Sequence, residues 1–178
     1  MMKDLEGEIK KVVRNVPDFP KKGIDFKDIS TLMMNPELSN QIVDVLADHY
    51  KEFDIDKIAG VESRGFLIGY ALALKLNKPF ILIRKKGKLP YKKVEQSYDL
   101  EYGSATIEMH SDAVEVGDKV LIHDDLLATG GSAEASAKLI QKCGGEIVGF
   151  NFLIYLTFLN GQSKLTNYTK NIINLASY

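Results

Sequence analysis

The stretch Lys119-Val120-Leu121-Ile122-His123-Asp124-Asp125-Leu126-Leu127-Ala128-Thr129-Gly130-Gly131-Ser132 narrows the possible folds of this chain more than any other. Its first part is apolar and rich in β-branched residues, and it reads as a buried strand of a parallel sheet. Two adjacent carboxylates follow at the strand's end, where open α/β sheets place their ligands. A loop with paired glycines and a hydroxyl residue comes next. Residues 133–142 are then mostly good helix formers, ending at Gly144-Gly145. Strand, acidic pair, glycine loop and helix make one unit of an α/β fold, a mostly parallel central sheet flanked by helices.

The parts of that unit dictate its chemistry. Glycines let backbone N–H groups converge on an anion, and the start of a helix adds unpaired N–H groups and a favourable dipole. Thr129 and Ser132 supply hydroxyl donors to the same anion. Asp124 and Asp125 would repel a phosphate, so their partner is a pair of vicinal hydroxyls or a divalent cation. A phosphate close to a diol describes a ribose 5-phosphate. The loop is no Walker motif, since Gly-Lys-Ser/Thr does not follow, and no Gly-x-Gly-x-x-Gly dinucleotide turn.

Elsewhere the chain repeats the same grammar. Residues 5–16 carry apolar side chains at helical spacing and end at Pro17. Residues 17–29 form a turn-rich segment, expected as a surface loop packed by its own side chains, Phe19 and Phe26 among them. Residues 36–53 read as a helix with Leu38, Ile42, Val45, Leu46 and His49 near one stripe; His49 is a partly exposed helix residue rather than a ligand. A short strand over 57–61 leads through Glu62-Ser63-Arg64-Gly65 into an apolar helix over 66–76, and 80–83 closes the first strand–helix–strand unit. Ser63, Arg64 and Gly65 thus sit at a second strand-to-helix junction, an anion site with its own cation.

Net charge is −1, which gives no overall basic field for nucleic acid or an acidic membrane. A polyanionic substrate must therefore meet local clusters, and the densest is 84–93, Arg84-Lys85-Lys86-Gly87-Lys88-Leu89-Pro90-Tyr91-Lys92-Lys93. Such runs are usually solvated loops. One of this length without evident structure is either disordered or functional, and a lid is the favoured reading. Residues 106–110 alternate like a strand, 147–159 form a strongly apolar strand, and the tail from 162 is polar with a final strand-like stretch. His123, on a buried strand, reads as a hydrogen-bonded core histidine. The single Cys143 forms no internal disulfide, no apolar run is long enough to span a bilayer, and the first residues lack the apolar core of a signal peptide. A cytoplasmic protein of one domain, 1–178, is expected, with no nucleic-acid or membrane partner.

Four of these motifs, in this order, resemble those of the type I phosphoribosyltransferases, and the Leu-Leu-Ala-Thr-Gly-Gly wording resembles the adenine-specific branch of that family. The resemblance covers about 12–160. It implies a small N-terminal hood (about 17–34), a mobile catalytic loop (about 84–103), and the conversion of adenine and 5-phosphoribosyl 1-pyrophosphate (PRPP) to AMP and pyrophosphate. By position it implies that Ala128, Thr129, Gly130, Gly131 and Ser132 hold the 5′-phosphate, and that Ser63, Arg64, Gly65, Arg84 and Lys88 hold pyrophosphate. Asp124 and Asp125 would grip the ribose, with Glu101 and Tyr102 closing over the reacting centre. Phe26, Lys27 and Leu126 would contact the base. Lys27 stands where Arg is commoner, His123 where an aliphatic residue is usual, and Tyr155 where a glutamate is usual; no role passes to Tyr155. Mg²⁺ is implied as a cofactor held mainly by PRPP, pyrophosphate and water, with no direct protein ligand, and a homodimer as the assembly. Two alternatives stand beside this reading: transfer to another purine base, xanthine or hypoxanthine, or a non-catalytic PRPP sensor.

Overall fold

The structure, a computed structural model, describes residues 2–99 and 103–178. In chain order the elements are α1 (Met2–Val12), β1 (Arg14–Val16), β2 (Phe26–Asp28), α2 (Ser30–Met33), α3 (Pro36–Tyr50), β3 (Lys57–Val61), α4 (Gly65–Lys75) and β4 (Phe80–Lys85). Then come β5 (Lys93–Asp99), β6 (Ser104–His110), β7 (Lys119–Leu127), α5 (Gly131–Lys142) and β8 (Glu146–Tyr155). A 3₁₀ turn (Thr157–Leu159), α6 (Gln162–Leu165) and β9 (Ile172–Ser177) complete the chain.

One seven-stranded sheet, ordered β5-β6-β4-β3-β7-β8-β9, divides the molecule. Strands β4, β3, β7, β8 and β9 run parallel, and β6 and β5 add an antiparallel edge. The near-continuous apolar content of β7 follows from burial on both faces. Leu121 packs with α1, α3 and α4 on one side, while Val120 and Ile122 pack with Ala137, Leu139 and Ile140 of α5 on the other. Helix α3 begins with the Asn35 side chain accepting the Leu38 N–H at 3.1 Å, beside Pro36 at its first position. It buries Leu38, Ile42, Val43, Leu46, Ala47 and Tyr50, whereas His49 is exposed.

Order reverses between β3 and β7. From β3 the chain crosses through α4 to β4 on one side, and from β7 it crosses through α5 to β8 on the other. The two loops leaving the carboxyl ends of β3 and β7 therefore part toward opposite faces of the sheet and leave a crevice between them.

Three local expectations are corrected. The first helix stops at Val12, and Arg14–Val16 becomes a strand paired antiparallel with Phe26–Asp28. Pro17 forces the residue before it to be extended, and the pairing then captures that conformation. Residues 14–28 are consequently a hairpin; its connecting loop, 17–25, is packed by Phe19 on Phe26 as expected and closed by the Gly23 N–H donating to Asp18 Oδ1 at 2.7 Å, while 26–28 is strand rather than loop. In the basic region, Lys93–Asp99 forms β5, paired along its length with β6. Val94, Gln96 and Tyr98 alternate inward there, a strand pattern that the flanking lysines conceal.

Behind the crevice lies a buried polar pair. The side chains of His123 and Asn151 are fully enclosed, and His123 Nδ1 is hydrogen-bonded to Asn151 Oδ1. Burial lowers the imidazole's pKa from 6.5 to about 4 despite that partner. In the unfolded chain it protonates near 6.5, so the unfolded state binds more protons in the interval between. Stability that His123 contributes at neutral pH is thus lost as pH falls from about 6.5 to 4, about 3 kcal/mol in all. Urea unfolding across that interval should show a steeper loss for the wild type than for His123→Gln; parallel curves would contradict a buried neutral imidazole.

Candidate active site

A cavity of about 350 Å³ opens at the crevice. The β3 loop contributes Glu62, Ser63 and Arg64, and β7 with its loop contributes Asp124 through Ser132. Lys85 and Tyr98 wall the remaining side from β4 and β5. The two junctions singled out in the sequence are therefore one site.

Strand geometry sends the two carboxylates to different partners, because successive side chains leave a strand on opposite faces. Asp124 turns toward α5, where the Ser132 hydroxyl lies 3.5 Å from Oδ2, and its Oδ1 accepts the Asp125 N–H at 2.9 Å. Asp125 turns toward α4, with Oδ2 at 2.8 Å from Arg64 Nε. That N–H is not aimed at the oxygen, so charge rather than an aligned hydrogen bond holds the pair. Both carboxylates are buried, and burial raises the pKa of each. The negative charge of Asp125 raises Asp124 further, whereas Arg64 pulls both downward.

Past Leu127 the chain turns through Ala128 and Thr129 to Gly130, whose φ of +77° only glycine adopts readily. Helix α5 begins at the next residue, so its first N–H groups face the cavity. Gly131 packs against the ring of Tyr98, where an added Cβ would sit 3.1 Å from Cδ2. Across the crevice Gly65 lies on the backbone of β7, and a Cβ there would be 3.0 Å from the His123 carbonyl oxygen. Glycine thus lets the start of α4 approach β7 and the start of α5 approach β5, on the two sides of the crevice.

The hood supplies an aromatic face. The Arg64 guanidinium carbon stands 4.9 Å from the centre of the Phe26 ring, and Phe19 meets that ring edge-on at 5.1 Å. Arg64 therefore bridges Phe26 and Asp125. Leu126 is half-buried on the cavity wall.

Not every expected residue gathers here. The Lys27 ammonium donates to Asn15 Oδ1 at 2.8 Å and Asp25 Oδ2 at 2.7 Å, and lies 4.5 Å from the Tyr178 ring centre. It ties the hood to the end of β9 and does not line the cavity. Arg84 pairs through Nε with Glu62 Oε2 at 3.1 Å and donates from Nη1 to the Lys88 carbonyl at 3.1 Å. Lys88 is exposed, and neither cation lines the cavity. Burial alone would raise the Glu62 pKa; the Lys85 N–H and Arg84 together outweigh it and leave the group below the ordinary value. Glu101 and Tyr102 lie outside the described residues.

Glu62, Lys85 and Tyr98 were not singled out from the sequence. Glu62 stood in the quoted junction, Lys85 was hidden among equivalent lysines, and Tyr98 needed β5 to be recognised as a strand. Among the described residues no group of three or more His, Cys, Asp or Glu side chains is placed to hold a metal ion.

Comparison with known proteins places these features in company. Residues 28–172 match the family model described as phosphoribosyl transferase domain. The adenine phosphoribosyltransferase of Halothermothrix orenii is 55% identical over 161 residues, which is 90% of this chain and 95% of that one. A crystal structure of adenine phosphoribosyltransferase from Thermoanaerobacter pseudethanolicus superposes with a TM-score of 0.93 at 46% identity, covering 97% of this chain and 99% of its own. The Trypanosoma brucei adenine phosphoribosyltransferase, solved with AMP, pyrophosphate and ribose 5-phosphate, matches with a TM-score of 0.87 at 29% identity over 97% and 79% of the two chains.

The buried acidic pair is costly without a ligand. A carboxylate whose folded pKa is raised stabilises the fold only below its unfolded value, and that contribution is gone once pH rises through the folded value. At neutral pH Asp124 therefore destabilises the unliganded protein. Asp124→Asn should raise Tm by about 2–4 °C, the equivalent of roughly 1 kcal/mol at this size. A lower Tm by scanning calorimetry would show that the charge is compensated.

Proposed function

The chain belongs to the phosphoribosyl transferase family, and from that premise we propose that it transfers the 5-phosphoribosyl group of PRPP to adenine. The products are AMP and pyrophosphate, a step of purine salvage. One observation carries the reading: an acidic pair, a glycine and hydroxyl loop at a helix start, and an arginine share a single cavity, and that arginine stacks on the aromatic ring of the hood beside it. No other ligand class demands those three features side by side so directly as a phosphorylated ribose between a purine and an anionic leaving group.

In the transfer the bond from the ribose anomeric carbon to pyrophosphate oxygen breaks, and a bond from that carbon to a ring nitrogen of adenine forms. The ribose passes through a cationic, oxocarbenium-like state parting from an anion. Catalysis then consists of holding both ends and stabilising separated charge. The N–H groups of Ala128 to Ser132, with the Thr129 hydroxyl, hold the 5′-phosphate and so fix the reacting carbon. Asp124 and Asp125 accept from the ribose hydroxyls and place negative charge near the developing cation. Arg64, released from Asp125 by that exchange, turns with Ser63 to the pyrophosphate. Lys85 already faces the cavity, and Arg84 and Lys88 reach it only after Arg84 leaves Glu62. Phe26 and Leu126 enclose the base, and Glu101 takes the proton that its ring nitrogen sheds. Tyr102 closes over the reacting centre with Glu101, while 93–99 stays paired with β6.

Mg²⁺ would be held mainly by PRPP, pyrophosphate and water, as such cations prefer, since no group of three or more His, Cys, Asp or Glu side chains among the described residues is placed to ligate it. When bound, the ion offsets charge on the leaving pyrophosphate. For the assembly we favour a homodimer, supported by the exposed Leu67, Tyr70 and Leu74 along one face of α4. A monomer mass by light scattering would remove that part. We place the enzyme in the cytoplasm, where PRPP and free bases occur together; no helix among the described residues is long and apolar enough to cross a membrane.

The direct assay is formation of AMP from adenine, PRPP and Mg²⁺, with hypoxanthine and xanthine as competitors. Glu101→Gln should lower kcat by about 10²–10⁴ while PRPP binding persists, the usual worth of a positioned acid or base. Unchanged turnover would take Glu101 out of the mechanism.

A further inference from the structure

The phosphate loop does not stand on β7 and α5 alone. Its outer side rests on Gly161, in the segment between the 3₁₀ turn and α6. A Cβ built at Gly161 would fall 2.7 Å from the Gly130 nitrogen and 2.8 Å from the Thr129 carbonyl carbon, and closer still to the Ala128 carbonyl oxygen. Conversely, a Cβ at Gly130 would fall 2.6 Å from the Gly161 carbonyl oxygen. All of these neighbours are backbone atoms, which cannot rotate aside as a side-chain tip would.

Gly161 has φ −63° and ψ −23°, a conformation open to any residue. Glycine is therefore required there for space and not for its backbone freedom. The surrounding contacts keep the support in place. The Leu156 N–H donates to the Leu127 carbonyl at 2.9 Å, immediately before the loop. Thr157 donates from both its N–H and its hydroxyl to the Tyr178 carbonyl, at 3.0 and 2.7 Å. Leu165 of α6 is fully buried in the core with α5.

We propose that Gly161 is a positioning residue for 5′-phosphate binding: its bare backbone sets the path of residues 128–130, and so where their N–H groups point. The inference rests on the phosphate-loop reading above. An anion site made of converging amides is sensitive to small displacements, and a misplacement of about 1 Å in a reacting complex can cost as much as 10²-fold in rate.

The test compares Gly161→Ala with Gly145→Ala. An added Cβ at Gly145 is also crowded, 2.7 Å from the side-chain atoms Ile140 Cγ2 and Val114 Cγ1, but it lies beyond the far end of α5. Gly161→Ala should weaken ribose 5-phosphate binding by calorimetry at least ~10-fold and lower kcat/KM for PRPP by at least as much. Gly145→Ala should lower Tm and leave both quantities unchanged. A folded Gly161→Ala protein with unaltered affinity and kcat/KM would overturn the proposal. The wild type gives a second readout independent of any variant's folding. On titration with ribose 5-phosphate, the Gly161 amide resonance should move together with those of 128–132. Movement of the loop resonances without Gly161 would also overturn it. A wild type that fails to bind ribose 5-phosphate would bring down the phosphate-loop reading with it.

Discussion

Strand β7 outruns its neighbour. Its pairing with β3 ends at His123 opposite Gly60, while its pairing with β8 continues to Leu127 opposite Tyr155. Asp124 to Leu127 are thus held in line by one neighbour and released by the other. The released edge is where the β3 loop turns away into α4, so Arg64 can reach across to Asp125. A carboxylate pair on a free surface loop would be solvated and mobile. Here the strand fixes it, buries it and leaves an open side for a ligand.

That arrangement sets the electrostatics of the unliganded site. Of the two buried carboxylates Asp125 pairs with Arg64, and the same arginine lies over the aromatic ring of the hood. Arg64 therefore links the parts of the cavity assigned to sugar, base and leaving group. In the proposed reaction an incoming ribose would replace the arginine on Asp125 with hydroxyl donors and free the guanidinium for pyrophosphate. Glu62 and Arg84 show the same economy, with a cation parked on a carboxylate beside the cavity.

What could be read in the chain alone follows from how local the determining physics is. The β7 unit was legible because strand, acidic pair, glycine loop and helix are consecutive, and each part has its own residue signature. Ser63-Arg64-Gly65 gained meaning only beside a second junction of the same kind, and the sheet order then made the two one site. The end of α1 was misplaced because Val12, Val13 and Val16 fit a helical stripe and a strand equally, and the decision rested on pairing with Phe26–Asp28. Strand β5 was hidden by Lys92, Lys93 and Glu95, whose charges outweighed the alternation of Val94, Gln96 and Tyr98. Lys27 and Arg84 looked available from their charge, but their partners Asn15, Asp25 and Glu62 are fixed by tertiary contacts. The crowding at Gly161 left no trace in the sequence, since it arises between segments about thirty residues apart.

All of these relations converge on where a nucleotide sits, and a crystal structure with AMP bound measures that directly. The 5′-phosphate should lie within hydrogen-bond reach of the N–H groups of residues 128–132, the ribose hydroxyls against Asp124 and Asp125, and the purine beside Phe26 with Arg64 displaced from the ring. AMP lodged away from the carboxyl end of β7, with that loop empty, would contradict the account.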